Sequence, residues 1–324
     1  MMFAKWAVTR RGWGRMLAAA ALGGWWRGAR AADPRDTGPL TWGAEPASNA
    51  GHERRYRAHA QILLLGLPLV RWPNVGGGSA AWRESPAANR GRLRFLEFAG
   101  FSSPERAAGL NRLGFIQELS RVGADGALEA IYFGLMTASP EETAEEARKA
   151  LHSTAKAATY TAIDGRLAQG TVETVIAHFM APARWSMGNR TELMERARMA
   201  VAAAKPRPPE GDTRGAAMRP FLHALAGALA EPGPVDAAFS YAGRRYRLGL
   251  DKSEDAKATA SYRKGGLIPS NGSVLRVAGK LRREAGGKET EFRLWVENGS
   301  AHPLPLRIEY QAKAYLRLVF EADS

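Results

Sequence analysis

About the last ninety residues of the chain alternate most regularly between apolar and polar positions. Over Phe239 to Leu250, Tyr246, Leu248 and Leu250 share one parity and Arg245, Arg247 and Gly249 the other. Phe292, Leu294 and Val296 alternate with Arg293, Trp295 and Glu297. Leu306, Ile308 and Tyr310 alternate with Arg307, Glu309 and Gln311, and Leu316, Leu318 and Phe320 with Arg317, Val319 and Glu321. Strand side chains point to opposite faces in turn, so this period predicts antiparallel strands with one core face and one wet face.

Upstream the pattern is denser. Tyr56 to Trp72 is strongly apolar and β-like, and Gly76-Gly77-Gly78 reads as a tight turn leading to Ala80-Ala81-Trp82. Over Arg92 to Phe98, Leu93 and Phe95 alternate with Arg94, Leu96 and Phe98, which predicts a strand covered on both faces. Leu113 to Val122 and Leu128 to Met136 flank Gly123-Ala124-Asp125-Gly126 as a hairpin. Ala158 to Ile163 and Thr171 to Met180 flank a loop from Asp164 to Gly170, with Val172, Thr174, Ile176, His178 and Met180 on one face.

Three helices are expected. Ser139-Pro140-Glu141-Glu142 supplies an N-cap, a first-turn proline and an acid, opening a helix over 140–151. Asn189 and Glu192 open a second, running towards Ala204. Ala216 to Ala230 forms a third, weakened by Pro220 and Gly227 and stopped by Glu231-Pro232-Gly233-Pro234. The segment KPRPPEGDTRG, 205–215, is an internal loop. The fold expected is mainly β (α+β): a curved antiparallel sheet or incomplete β-barrel with two or three inserted helices, in one domain over 51–324.

The N-terminus has a different character. Residues 1–15 carry Lys5, Arg10, Arg11 and Arg15 and no acid; an apolar run from Met16 to Trp26 follows, then Arg27-Gly28-Ala29-Arg30-Ala31. That is the layout of a secretory signal peptide, and the run is too short for a bilayer span. Thr9-Arg10-Arg11-Gly12-Trp13-Gly14-Arg15 resembles the twin-arginine export motif. The expectation is a leader over 1–31, a flexible tether over 32–50, and an exported, periplasmic protein. No stretch after residue 31 is long and apolar enough to cross a membrane as a helix.

Composition narrows this picture. The chain has 46 Lys and Arg against 32 Asp and Glu, but the leader holds six of the bases and none of the acids, leaving about +8. The remaining bases are interspersed with acids. Short clusters at Arg54-Arg55-x-Arg57, Arg90-x-Arg92-x-Arg94 and Arg244-Arg245-x-Arg247 read as solvated strand faces, with no nucleic-acid partner implied. There is no cysteine, which removes disulfides, zinc thiolates and cysteine nucleophiles together.

None of the six histidines falls in HxH or HExxH spacing, and no GxSxG is present. Gly76-x-Gly78-x-x-Ala81 imitates a dinucleotide loop, yet Trp82-Arg83-Glu84-Ser85-Pro86 follows where a helix should begin. His59 and His178 sit in apolar strands and are read as separate structural histidines. No cofactor, metal site or catalytic residue is therefore expected.

The order of elements from Phe239 onward resembles a secreted bacterial family known as domain of unknown function 3108. The likeness rests on Gly243-Arg244, Tyr246, Trp295 and Leu304-Pro305-Leu306-Arg307-Ile308-Glu309, and covers residues 214–322. It implies an incomplete antiparallel barrel in the periplasm and no defined activity. Inward aromatics of a curved sheet would line an apolar cavity, so Trp72, Trp82, Trp295 and Tyr246 are the candidate ligand-binding residues, with Trp185 a further tryptophan to place. The function expected is a non-enzymatic binding or carrier protein for an apolar ligand such as a lipid. The alternative is a cell-envelope structural or assembly factor binding a protein partner. Peripheral contact with an anionic membrane surface fits either reading.

Overall fold

The computed structural model describes residues 39–47, 51–64, 67–87, 91–103, 105–107, 112–123, 126–138, 145–146, 157–168, 171–182, 190–207, 218–287 and 289–323. The leader over 1–31 lies outside these residues, as do Trp185 and all but Glu145 and Glu146 of the helix expected over 140–151; those two are helical.

The described strands form one fourteen-stranded antiparallel sheet. In chain order they are β1 (Gly51–Leu64), β2 (Leu67–Pro86), β3 (Arg92–Ser102), β4 (Leu113–Val122), β5 (Leu128–Thr137), β6 (Ala157–Ala168), β7 (Thr171–Pro182) and β8 (Pro206–Arg207). Then follow β9 (Val235–Tyr241), β10 (Arg244–Glu254), β11 (Val274–Arg283), β12 (Thr290–Glu297), β13 (Arg307–Lys313) and β14 (Leu316–Ala322). Three helices accompany them: α1 (Arg190–Ala203), α2 (Phe221–Ala230) and α3 (Ala256–Lys264). The spatial order runs from β8 back to β1, then from β14 back to β9. Two meanders thus meet at a β1–β14 ladder, from Tyr56 opposite Ala322 to Ile62 opposite Leu316.

The sheet curls without closing, since β8 and β9 occupy its two ends. The β9–β10 turn tucks against β5–β7: the Tyr241 and Tyr132 rings are 6.0 Å apart, and a Cβ on Gly134 would come within 2.5 Å of the Tyr241 hydroxyl. One cross-strand row shows the concave face, Trp82–Leu96–Glu118–Tyr132–Gly165–Thr174 across β2 to β7. Gly165 is required there because the Tyr132 ring lies over it; a Cβ would fall 2.0 Å from that ring.

Helix α2 fills the concavity. Ala224 and Ala228 pack with Phe239, Leu248, Leu250 and Val277, while Ala226 and Leu222 meet Trp82 and Leu96. Among the described residues the convex face is covered in three places. Leu40 lies over Phe95, Leu119 and Ile131, and α1 packs Leu193, Ala197 and Val201 on Ala177, Ala181 and Leu135. The Leu, Ile, Val and Phe side chains buried this way contribute about 1.5–3 kcal/mol each, the alanines less. Helix α3 covers the convex side of β11 and β12 through Ala258 and Tyr262.

Several expectations need correction. Gly76–Gly78 is no turn: β2 runs straight through it, paired with Tyr56–Ala58 on one side and Gly100–Ser102 on the other. Its glycines permit close approach, since a Cβ on Gly76 would meet the Phe101 carbonyl at 1.9 Å. The loop expected over 164–170 is shorter, because Asp164 to Ala168 pairs with Thr171 to Val175. The tether is anchored within its described part: Leu40 is buried, its N–H bonds Glu129 and its carbonyl accepts from Arg166. Pro220 does not weaken the third helix but precedes it as N-cap, where its missing N–H costs nothing. Helix α3 was not expected.

Candidate anion-binding pocket

A buried helix must have its terminal N–H and C=O groups met by something other than water. At the N-terminus of α2, Glu118 of β4 does this: its two carboxylate oxygens accept from Leu222 N at 2.7 Å and His223 N at 2.8 Å. Burial raises the Glu118 pKa to about 8, outweighing the two N–H donors that favour its charged form. At the other end, Lys252 of β10 donates to the carbonyls of Ala228, Leu229 and Glu231. The Lys252 cation at the C-terminus matches the helix dipole, and Glu118 at the N-terminus matches it once ionised, above about pH 8.

At the third residue of α2, the His223 ring lies 3.1 Å through Nδ1 from Ser120 Oγ, and both groups are buried. Its pKa is pushed down to about 4, first by burial and then by the positive charges of Arg94 and Arg219. The imidazole is therefore neutral at pH 7. The pair is no nucleophilic triad: both oxygens of the neighbouring carboxylate are spent on the helix backbone, and Ser120 is 2% exposed.

Beside His223 the rim of the curl holds a cavity of about 340 Å³, lined by Arg92, Arg94, Val122, Gly123, Arg219, His223 and Gly227. Arg92 and Arg94 are successive concave-face residues of β3, opposite Val122 and Ser120. Arg219 arrives from the approach to α2, fixed by Ser240 N donating to its carbonyl. Its guanidinium lies over the helix at Gly227, where an added Cβ would sit 3.1 Å from Nη1. The glycine that lowers helix propensity thus makes room for a pocket arginine.

Arg94 is held by Glu84 through Nε and stacks on the Trp82 ring, 4.7 Å from its centroid. Among the described residues no carboxylate pairs with Arg92 or Arg219. Three arginines lining one cavity, with a neutral imidazole in its wall, suit a carboxylate or phosphate, which a guanidinium can grip with two parallel N–H donors.

The four expected aromatic residues do not share a cavity. Trp82 adjoins the pocket through Arg94, and its buried Nε1 has no hydrogen-bond partner among the described residues. Tyr246 stacks on Phe239 at 5.2 Å in the core around α2. Trp295 is on the convex face, with Nε1 donating to Asp255 and Arg307 over its ring. Trp72 is 41% exposed on the β1–β2 hairpin. The concavity that they were expected to line is filled by α2.

His59 and His178 are far apart in the sheet, on β1 and β7. His59 Nδ1 accepts from Asn74 N at a bulge, and His178 Nδ1 lies 3.0 Å from Thr161 Oγ1. Sequence reading missed Arg92, Arg94, Arg219, His223 and Glu118. The signal for two of them was the Arg90-x-Arg92-x-Arg94 cluster, read as a solvated face.

No family model matches the chain, and no curated protein matches it. Among solved structures, a β-barrel-like protein of domain of unknown function DUF1849 from Brucella abortus aligns over 85% of this chain and 96% of its own. The identity is 8% and the TM-score 0.39. Like the family that the C-terminal strands resemble, it carries only a domain-of-unknown-function number, though a different one.

Proposed function

We propose that the chain is a non-enzymatic binding module of the bacterial envelope, taking an acidic amphiphile by its anionic group. The observation that carries this reading is that Arg92, Arg94 and Arg219 line one rim cavity, and among the described residues Glu84 is the one carboxylate paired with any of them. The volume is within the range of small-ligand sites. Val122, Gly123 and Gly227 offer apolar wall, and the rest of an acyl chain lies along the rim, since α2 occupies the interior. Export through the twin-arginine-like leader and kinship with the 3108 family over 214–322 belong to the same reading; the kinship rests on the motif residues Gly243 to Tyr246, Trp295 and Leu304 to Glu309.

Calorimetric titration with dodecyl phosphate, dodecanoate and inorganic phosphate tests the pocket. The amphiphiles bind the wild type more tightly than phosphate does. Arg92→Glu and Arg219→Glu each weaken them at least about tenfold, the equivalent of one charge-assisted hydrogen bond. Equal affinity in both variants, or none in the wild type, overturns the proposal. Native mass spectrometry of protein recovered from the periplasm tests carriage. An adduct in the lipid mass range supports it, and a clean apo mass moves the reading to the protein-partner alternative.

A further inference from the structure

At the opposite end of β2 from the arginine pocket, the β1–β2 hairpin projects beyond its neighbours. β3 pairs with β2 only from Gly76 onward, and β14 follows β1 only as far as Ile62, which faces Val70. Past that pair lie Leu63 and Leu64 of β1, with Leu63 N still donating to the Tyr315 carbonyl, and Leu67, Pro68 and Leu69 of β2, roughly 10 Å at the ordinary strand rise.

We propose that this hairpin tip inserts into the surface of an anionic lipid bilayer. The first support is that the described part of the tip on β2 is apolar and wet. Leu67, Val70 and Trp72, opposite Leu64, Ile62 and Ala60, share one face and are 72%, 46% and 41% exposed, and Leu69, at the bulge between Pro68 and Val70, is 65% exposed. Every residue from Leu67 to Asn74 is exposed, and none is acidic. A contiguous apolar patch of this kind is unusual on a surface that meets only solvent.

The second support is charge placement. One residue row behind the apolar tip, Arg71, Gln61 and Arg317 lie side by side across β2, β1 and β14. Lys313 enters one row nearer the tip, opposite Leu316. Arg71 is held only loosely, its side chain half exposed and 3.5 Å from Glu321. These bases stand at the depth of lipid phosphates when the leucines are immersed, and each such base adds attraction to an anionic surface. Trp72 lies in the same zone, where an amphipathic ring is favoured. The free strand edges keep the tip at the interface, about 5–10 Å deep, where water still reaches the backbone.

The inference stands apart from the pocket and is tested separately. The full chain is floated with vesicles of phosphatidylcholine alone and of phosphatidylcholine with phosphatidylglycerol. Wild type binds the anionic vesicles. Leu67→Ser with Leu69→Ser lowers that binding on the order of tenfold without moving the thermal midpoint, and Arg71→Glu with Arg317→Glu removes the anionic preference. Depth is read as quenching by acyl-brominated lipid, taken as wild type minus Trp72→Phe, so contact by any other segment cancels; a quenched difference signal supports insertion. Absence of binding in the wild type, undiminished binding in the serine pair or an unquenched Trp72 overturns the proposal. A concentration-dependent dimer abolished by the same serine pair assigns the tip to a second copy and overturns it equally.

Discussion

Two parts of the one sheet, β5 and β12, bury their side chains in opposite ways. In β5 the concave residues Ala130 and Tyr132 and the convex residues Ile131, Phe133 and Leu135 are all buried. In β12 only the concave Phe292, Leu294 and Val296 are, while Arg293 and Trp295 remain half-buried. The cause is not in the strands. β5 is packed from inside by the rolled-in β9–β10 turn and from outside by α1 and the Leu40 segment. β12 has a partner inside and, apart from α3 at Trp295, water outside. A strand's alternation therefore reports what is stacked on it.

This contrast can be broken by matched substitutions on the convex face. Phe95→Ala, under Leu40, costs about 3–5 kcal/mol of unfolding free energy in urea titration. The second effect tests the helix that both parts share. Glu118 ionises at about 8 in the fold against 4.5 as a free side chain, so unfolding releases a proton between those values and stability falls as pH rises across them. His223 titrates at about 4 in the fold against 6.5, so unfolding takes up a proton and stability rises over that window. The two oppose each other from pH 4.5 to 6.5. From 6.5 to 8 only Glu118 acts, and stability drops by about 2 kcal/mol. Glu118→Gln removes this drop, and a wild-type stability that is level from pH 6.5 to 8 contradicts the assignment.

Smaller effects sharpen the comparison. Asp255 caps α3 by accepting from Ala258 N at 2.8 Å and also holds Trp295 Nε1. Asp255→Ala costs about 1 kcal/mol, seen as a lowered melting midpoint. Arg293→Ala, on the wet face of β12 and 3.5 Å from Glu309, changes stability by less than about 0.5 kcal/mol. A cost near that of Phe95→Ala would mean that the convex face of β12 is covered after all.

Where one face is wet, the sequence was legible. Val296, Leu294 and Phe292 could be assigned inward from alternation alone, and the β4 boundaries, Leu113 and Val122, could be read from the flanking turn residues. Legibility failed where a local signal served a distant contact. Gly76 to Gly78 reads as a turn because glycines usually mark one; here they admit the Phe101 backbone and the Phe320 ring. Helix α3 escaped because Thr259 is its one buried residue, leaving no apolar stripe to find. The pocket escaped for a related reason: Arg92 and Arg219 are far apart in the chain, and nothing in either neighbourhood says that rolling the sheet brings them to the same rim. Glu118 looks locally like a misplaced acid in an apolar strand, and its role appears only once α2 lies against it.

The strand order also governs how this chain finds its fold. Apart from β1 with β14, every described ladder joins strands adjacent in the sequence. Each meander can therefore zip outward from local hairpins with modest loop-closure cost, while β1–β14 must bring together segments about 250 residues apart. That single seam, clasped at its edge by Arg57 and Asp323 at 2.8 Å, is predicted from this topology to set the folding rate, which stopped-flow refolding of seam variants checks. Substitutions along it slow folding more than they speed unfolding, the reverse of those on the outer strands.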